Sequence, residues 1–344
     1  MTADSPGAVP IGRSAWLRNI AANLRHDRLL GLVLVLIIGL TVVNLVWLPF
    51  STVNANPLLF FYQALASLPF LVLWLLLGAM RYQLRKTPFL YREAVAQFSV
   101  RAQGLLVALG QIILLSAGLL LLSYLASATG RPLMDRYLAA ADGALGFDWV
   151  DYVTGLNAHP IFAHAITYAY GSLKIQMLVL PAILAFTSRL DRLAEFSAHF
   201  GLAGCLTCVV LVGIPAAGAS DFFHPSPEVL SSFGAGASTR HLDQLHTLRT
   251  LKPFLIEHPE GLVTFPSFHS ALAAIFVYSM RDVRYIAPPV FLLNVMLILA
   301  TPPQGGHYLV DVLAGLAIAI VAIQSVRWIA RGRGAVRSSG GRLC

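Results

Sequence analysis

The chain of 344 residues carries 12% charged and 57% hydrophobic residues, whereas an ordinary soluble domain carries about 25% charged residues. This composition excludes a soluble globular domain and a disordered chain, and three cysteines are too few for a disulfide scaffold. The chain is therefore expected to be an integral membrane protein. The net charge of +8 raises nucleic acid binding as an alternative, but the placement of the basic residues favours membrane topology, so we expect no nucleic acid partner.

Eight apolar stretches are long enough to cross, or nearly cross, a bilayer core of about 30 Å. Polar segments or segments with Pro and Gly separate them. They predict an all-α, polytopic membrane protein with about eight transmembrane helices, at residues 29–50, 57–80, 103–126, 161–187, 198–217, 264–280, 285–301 and 307–326.

Most of the 24 Lys and Arg residues fall on one side of this arrangement. The positive-inside rule places that side, with both termini, in the cytoplasm. The first apolar run is expected to be a retained signal anchor, and a bacterial inner membrane is the expected location. This organisation predicts four parts: a cytoplasmic arm (1–28), three accessory transmembrane helices (29–126), a membrane domain of five further spans (127–326) and a basic cytoplasmic tail (327–344).

Two segments on the opposite side are long. Residues 127–160 carry four aspartates among apolar residues, as a helix lying along the membrane surface would. Residues 218–263 form the longest stretch between spans and contain a predicted short helix at about 238–252. A long loop of this kind is uncommon without a function.

The residues best suited to catalysis lie in two histidine clusters, at 264–270 and 305–311. Both clusters are at outer ends of predicted spans. His307 and Asp311 are four residues apart and would share a helix face. A carboxylate bonded to one ring nitrogen fixes the tautomer and makes the other nitrogen a better nucleophile or base. Gly306 leaves room for backbone amides to approach an anion there.

The first cluster predicts a helix start at Ser267, with His269 in the first turn beside free amides that could hold a phosphate. Each feature also has a structural interpretation: an interfacial polar residue, an internal hydrogen bond or a helix cap. The coincidence of all three on one predicted side favours a catalytic site.

The motif Pro266-Ser267-Phe268-His269 resembles the Pro-Ser-x-His motif of the type 2 phosphatidic acid phosphatase superfamily, which is related to vanadium haloperoxidases. The segment from His307 to Asp311 resembles its last motif, His-x-x-x-Asp, in a form most similar to the inositol phosphorylceramide synthase branch. The resemblance covers roughly 130–326. It implies a helical catalytic core that needs no metal or cofactor and acts on a phospholipid or polyprenyl phosphate at the outer, periplasmic face.

The resemblance also implies three catalytic roles. His307 would be the nucleophile that forms a phosphohistidine, and Asp311 would orient it. His269 would protonate the leaving oxygen and then activate the acceptor. The sequence leaves open whether the acceptor is water or an alcohol. It therefore does not decide between a phosphatase and a phosphotransferase.

Two basic positions of the family pattern are occupied here by Tyr124 and Thr301. Other groups must then neutralise the phosphate charge. The weaker candidates for binding the phosphate are two residues of the motifs, three basic residues of the outer loop and one lysine inside a predicted span: Ser267, Gly306, Arg240, Arg249, Lys252 and Lys174. Among the three basic residues of the loop, Arg249 is preferred.

Other function classes also remain open. The histidines and aspartates of the outer loop could form a metal site, although their spacing does not show convergence, so no metal is expected. The span count alone would also allow a transporter or channel, or a non-catalytic scaffold. Substituting His307 separates the enzyme from both.

Overall fold

The computed structural model describes residues 13–55, 57–85, 90–236 and 240–331. The ends of the predicted arm and tail, 1–12 and 332–344, lie outside the described residues. The chain is mostly helical, and its α-helices are α1 Arg13–Trp47, α2 Pro57–Leu84, α3 Arg92–Ser127, α4 Asp135–Ala144, α5 Trp149–Asn157, α6 Pro160–Gly171, α7 Leu173–Phe186, α8 Leu190–Gly213, α9 Ala219–Phe223, α10 Arg240–Arg249, α11 Phe268–Met280, α12 Ala287–Gly305 and α13 Leu309–Arg331.

Two short 3₁₀-helices, Leu48–Phe50 and Pro227–Gly236, and a two-stranded sheet complete the described structure. Strand β1 (Val53–Ala55) pairs in parallel with β2 (Phe254–Ile256). The sheet ties the connection between α1 and α2 to the loop after α10. Its buried side chains pack on the end of α3. The sequence analysis did not predict this pairing, because three-residue strands carry no detectable periodicity.

Within the described residues, five helices are long and apolar enough to cross a membrane: α1 from Leu24 on, α3, α8, α12 and α13. The pair α6 and α7 makes six if it counts as one span. The predicted number of eight is not confirmed. The described apolar part of α2, Leu68–Leu84, and the 13-residue α11 are shorter. A helix of 13 residues is about 20 Å long, which is less than the bilayer core.

The span predicted at 161–187 is broken rather than straight. The axes of α6 and α7 differ by 56°. Ser172 lies at the break and donates its hydroxyl to the carbonyl of Ala169 at 2.6 Å. A Gly-Ser pair, here with Gly171, is a common cause of a sharp kink.

Helix α8 lies at the centre of the bundle. It packs against α1, α3, α11 and α13 through one apolar core that includes Leu29, Leu115, Phe196, Phe276 and Ala322. The first and third of the predicted accessory helices therefore share a core with the following membrane domain. In contrast, α2 packs mainly on α3, and most of its described leucines are exposed on the lipid-facing side.

The aspartate-rich segment 127–160 differs from the single surface helix that was predicted. It folds into two helices, α4 and α5, and two of its aspartates, Asp135 and Asp142, are buried. These two residues are seven apart, so they lie on one face of α4, two turns from each other. That face turns toward the start of α13.

Candidate active site

His307 lies in the short connection between α12 and α13. Helix α12 ends at Gly305, and its C-cap Gly306 adopts a left-handed conformation with φ of +62°, where a side chain would collide with Ser220. The imidazole Nδ1 of His307 lies 3.2 Å from Oδ2 of Asp311, and the same oxygen accepts the amide of Tyr308 at 2.9 Å. Asp311 therefore fixes the ring of His307 and leaves Nε2 free to face the site.

The backbone around His307 is held by two further contacts. The indole of Trp149 on α5 donates to the carbonyl oxygen of His307 at 3.1 Å. The carbonyl of Gly306 accepts the amide of Ala219 at 2.6 Å. Both long outer segments, 127–160 and 218–263, thus help to position the connection that carries His307.

Ser267 brings the first histidine cluster to the second. It is the N-cap of α11, as predicted, and its hydroxyl accepts the amide of Ser270 at 3.4 Å. The same hydroxyl lies 3.5 Å from Nε2 of His307, and its backbone amide donates to the carbonyl of Asp311 at 3.0 Å. Gly315 on α13 permits this close approach because a side chain there would collide with the carbonyl of Ser267.

His269 faces His307 across a small gap, with ring centroids 6.4 Å apart. This is about the separation that two groups need if each is to act within about 3 Å of the same reacting atom. The ring of Tyr170, from the end of α6, stacks on His269 with a centroid distance of 4.6 Å and an angle of 14°. Burial, the neighbouring His307 and the positive charge of Lys174, in the first turn of α7, lower the pKa of His269 from 6.5 to about 3. The break between α6 and α7 therefore brings two residues to this histidine.

Burial lowers the pKa of His307 from 6.5 to about 4, and a hydrogen bond with the backbone of Thr264 acts in the opposite direction. The ring is consequently neutral at pH 7. Its lone pair is therefore available for attack at physiological pH.

Two buried aspartates of α4 support the start of α13. Asp142 accepts the amides of Leu309 and Val310 at 2.8 and 2.9 Å. Burial raises the pKa of the Asp142 carboxyl, and these two amides partly oppose that effect. Asp135 accepts the hydroxyl of Tyr308 at 3.1 Å.

The amides of the first two residues of α13 are therefore not free to hold an anion. A carboxylate of the chain already occupies them. The sequence analysis missed Asp135, Asp142 and Trp149 as residues of this site. The spacing of seven between the two aspartates was the available signal.

The weaker phosphate-binding candidates are placed differently from one another. Ser267 and Gly306 border His307, and Lys174 acts on His269. Arg249 donates to the carbonyl of Arg131 at 2.6 Å, and Lys252 is exposed. The side chain of Arg240 lies outside the described residues.

The two positions that depart from the family pattern have structural partners. Tyr124 is fully buried; its hydroxyl accepts the amide of Glu260 at 2.9 Å and also hydrogen-bonds the side chain of Gln244. The hydroxyl of Thr301, inside α12, donates to the carbonyl of Leu297 at 2.9 Å.

A cavity of about 480 Å³ borders the connection before His307 and is formed largely by α9, α10 and the end of α12. Hydroxyl, carboxylate, amide and imidazole groups line it, together with a few apolar residues. Across it, Nε2 of His246 lies 2.9 Å from a carboxylate oxygen of Asp221. Within the described ranges, no three His, Cys, Asp or Glu side chains are grouped as metal ligands, so the alternative of a metal site finds no support there.

Comparison with known proteins gives one match. The sequence profile of the PAP2 superfamily, the type 2 phosphatidic acid phosphatases, matches residues 136–325, which contain His269, His307 and Asp311. Neither curated proteins nor solved structures gave a match. The match covers more than half of the chain, so this protein belongs to the PAP2 superfamily and is a membrane protein of the phosphatase and phosphotransferase type.

Proposed function

We propose that the protein cleaves or transfers a phosphate ester of a membrane lipid through a phosphohistidine on His307. The arrangement of His307 between Asp311 and Ser267, opposite His269, is the observation that carries this proposal. It provides a neutral nucleophile with a fixed tautomer and a second imidazole in position for proton transfer.

The reaction has two steps. In the first, Nε2 of His307 forms a bond to phosphorus while the bond to the leaving oxygen breaks. His269, whose low pKa keeps it neutral in the free enzyme, would take up a proton together with the anionic phosphate ester and supply it to that oxygen. Asp311 stabilises the positive charge that develops on the imidazole of His307. In the second step, His269 accepts a proton from the acceptor, whose oxygen displaces Nε2 and restores the free enzyme.

The negative charge on the transferred phosphoryl group needs a cation. Among the predicted candidates, Lys174 has the best support because it lies in the first turn of α7, four residues after Tyr170, whose ring stacks on His269. Ser267 would contribute its hydroxyl and Gly306 its backbone. Arg249 would have to leave the carbonyl of Arg131 to take part, and Arg240 and Lys252 are weaker candidates from the same loop.

The identity of the acceptor decides whether the reaction is hydrolysis or transfer. The cavity beside His307 is large enough for a polar head group, and the resemblance to the inositol phosphorylceramide synthase branch favours transfer to an alcohol. The breadth of the superfamily favours hydrolysis of a phospholipid or a polyprenyl phosphate. We propose no cofactor and no metal for either reaction.

The proposed setting follows the charge pattern of the sequence. The termini would lie in the cytoplasm of a bacterial inner membrane, and His307 would face the periplasm. The division at residues 1–28, 29–126, 127–326 and 327–344 belongs to the same proposal.

The test is release of inorganic phosphate by the purified protein in mixed micelles that contain EDTA. Phosphatidic acid, a polyprenyl diphosphate, and phosphatidylinositol with ceramide are the substrates, each also tested with His307→Ala. Phosphate that appears with EDTA and disappears in the variant supports a phosphatase. Movement of a labelled head group to a new lipid, without free phosphate, supports a transferase.

A second candidate function is transport. A broken helix pair with Lys174 beside the break is a feature of transporters. A transporter should move a lipid or an ion across the membrane of liposomes, and this flux should persist in His307→Ala. The proposed enzyme predicts loss of all turnover in that variant.

A further inference from the structure

A cavity of about 920 Å³ lies at the end of the bundle opposite His307. Helix α11 links the two places: it begins beside the candidate active site, and Asp282, just after its end, pairs with Arg192 of the cavity wall. The 13 residues of α11 separate the two places by about 20 Å. The cavity is therefore not part of the site at His307.

Seven arginines and one aspartate, Asp191, line this cavity. The arginines come from segments that are distant in the sequence: Arg25 on α1, Arg85 at the end of α2, Arg92 at the start of α3 and Arg189 between α7 and α8. The fold thus gathers positive charge from four segments at one place.

Only a minority of this charge is neutralised by the protein. Within the described residues, carboxylates pair with two of the seven arginines: Glu195 with Arg25 and Arg192, and Asp282 with Arg192. Among the described residues, the other five wall arginines have no carboxylate partner to compensate their charge.

Several of these arginines are held in place by neutral acceptors. Arg81 donates to the side-chain oxygen of Gln103 at 2.8 Å, and Arg189 donates to a backbone carbonyl at 2.8 Å. Like charges held in one cavity repel each other, so an anion that enters it would stabilise the folded chain.

The walls of the cavity are also partly apolar. Leu84, Val100 and Leu190 lie among the arginines, and the adjoining face of α2 exposes leucines such as Leu75 and Leu76. Arginines at the ends of apolar helices lie at the depth of lipid phosphates. The mixture fits a phosphate group attached to acyl chains better than a free ion.

We propose that this cavity binds the phosphate head group of an anionic phospholipid, in the leaflet opposite the candidate active site. The bound lipid would join α1, α2, α3 and α8 at their shared end. The proposal does not depend on the reaction proposed for His307.

The test measures the thermal unfolding midpoint of the purified full chain in neutral detergent. Phosphatidylglycerol, phosphatidylcholine and inorganic phosphate are titrated separately, and native mass spectrometry counts the bound lipid. We expect phosphatidylglycerol to raise the midpoint more than phosphatidylcholine. The double variant Arg85→Gln/Arg92→Gln should bind phosphatidylglycerol about tenfold more weakly or worse, since each arginine near the lipid phosphates adds to the attraction.

The matched control is Arg327→Gln/Arg331→Gln, which removes the same charge from the end of α13, outside the cavity. We expect it to weaken binding less than about twofold. Within the described residues, the side chains of Arg85 and Arg92 make no hydrogen bond or ion pair, so their variant should fold. Equal losses in the two double variants, or no preference for phosphatidylglycerol, would overturn the proposal. A rise in the midpoint with inorganic phosphate as large as the rise with phosphatidylglycerol would overturn the assignment to a lipid.

Discussion

Nδ1 of His307 lies 3.2 Å from Oδ2 of Asp311, and the carboxylate is completely buried. This pairing holds the ring in one tautomer and places its other nitrogen toward Ser267. The first prediction concerns this pairing. Asp311→Asn keeps the shape of the side chain but loses the charge, and its amide can present a donor to Nδ1. We expect kcat to fall by about 10² to 10⁴-fold with a smaller change in KM.

Steady-state phosphate release from the substrate that the wild type turns over measures this effect. Asp151→Asn, an exposed carboxylate on α5, is the control and should retain the wild-type rate. An Asp311→Asn protein that is folded and keeps its kcat would exclude a catalytic pairing.

The second prediction concerns Asp142, which caps the start of α13. Asp142→Ala leaves two amides, those of Leu309 and Val310, without their acceptor. Each unsatisfied group costs about 1–3 kcal/mol when buried. We expect a clearly lower unfolding midpoint and a loss of activity, because His307 directly precedes this turn.

The comparison for Asp142 is Asp148→Ala, which removes an exposed N-cap of α5. That loss costs about 1 kcal/mol. Equal midpoints for the two variants would show that Asp142 is not a structural support of α13.

The third prediction concerns the pKa of His307, which burial lowers to about 4. The folded pKa lies below the ordinary value of 6.5, so the folded ring stays neutral between these values while an unfolded chain takes up a proton. As pH falls through about 4, the ring becomes protonated and kcat/KM should decline because the nucleophilic lone pair is lost. Stability should already decline as pH falls from 6.5 toward 4.

Nuclear magnetic resonance of histidine-labelled protein measures this pKa directly, with the His307 signal assigned through His307→Gln. A His307 ring that titrates near 6.5 would contradict its burial in a dry site.

The fourth prediction concerns Tyr170, whose ring stacks on His269. Tyr170→Phe keeps the stack and should retain most of the activity. Tyr170→Leu removes it, and a stacked pair contributes about 0.5–1.5 kcal/mol, so we expect activity to fall by about two- to tenfold. If both variants lose activity equally, the hydroxyl rather than the stack is the functional part.

The fifth prediction concerns the cation that binds the phosphoryl group. Lys174→Met removes the charge that acts on His269, and we expect KM to rise by about tenfold or more. Lys174→Arg should recover part of the loss. Lys252→Met, in the exposed loop, is the comparison. A larger effect at Lys252 than at Lys174 would assign the phosphate to the outer loop instead.

The sequence predicted the residues that short-range motifs define. His307 contacts Asp311 as predicted, but it lies in the connection just before α13 and not on that helix. Ser267 is the cap of α11, because a cap depends only on local geometry. The helical character of the chain and its long apolar helices followed from composition for the same reason.

The contacts between distant segments were not predictable in this way. Asp135 and Asp142 carry the polar signature of a surface helix, but both are buried against partners far along the chain. Asp142 accepts amides at the start of α13, 167 residues away, and Asp135 accepts the hydroxyl of Tyr308 and the amides of Ala217 and Gly218. The break at Gly171 and the pairing of the two short strands likewise depend on packing that a single sequence does not display.

The most direct test of the central claim is to trap the phosphoenzyme. The wild type and His307→Ala are mixed with a lipid substrate labelled in its phosphate, quenched within one turnover and digested under alkaline conditions. The account predicts label that is stable to base, released by acid and attached to His307 in the wild type alone. Label on another residue, or turnover in the wild type without any labelled protein, would contradict it.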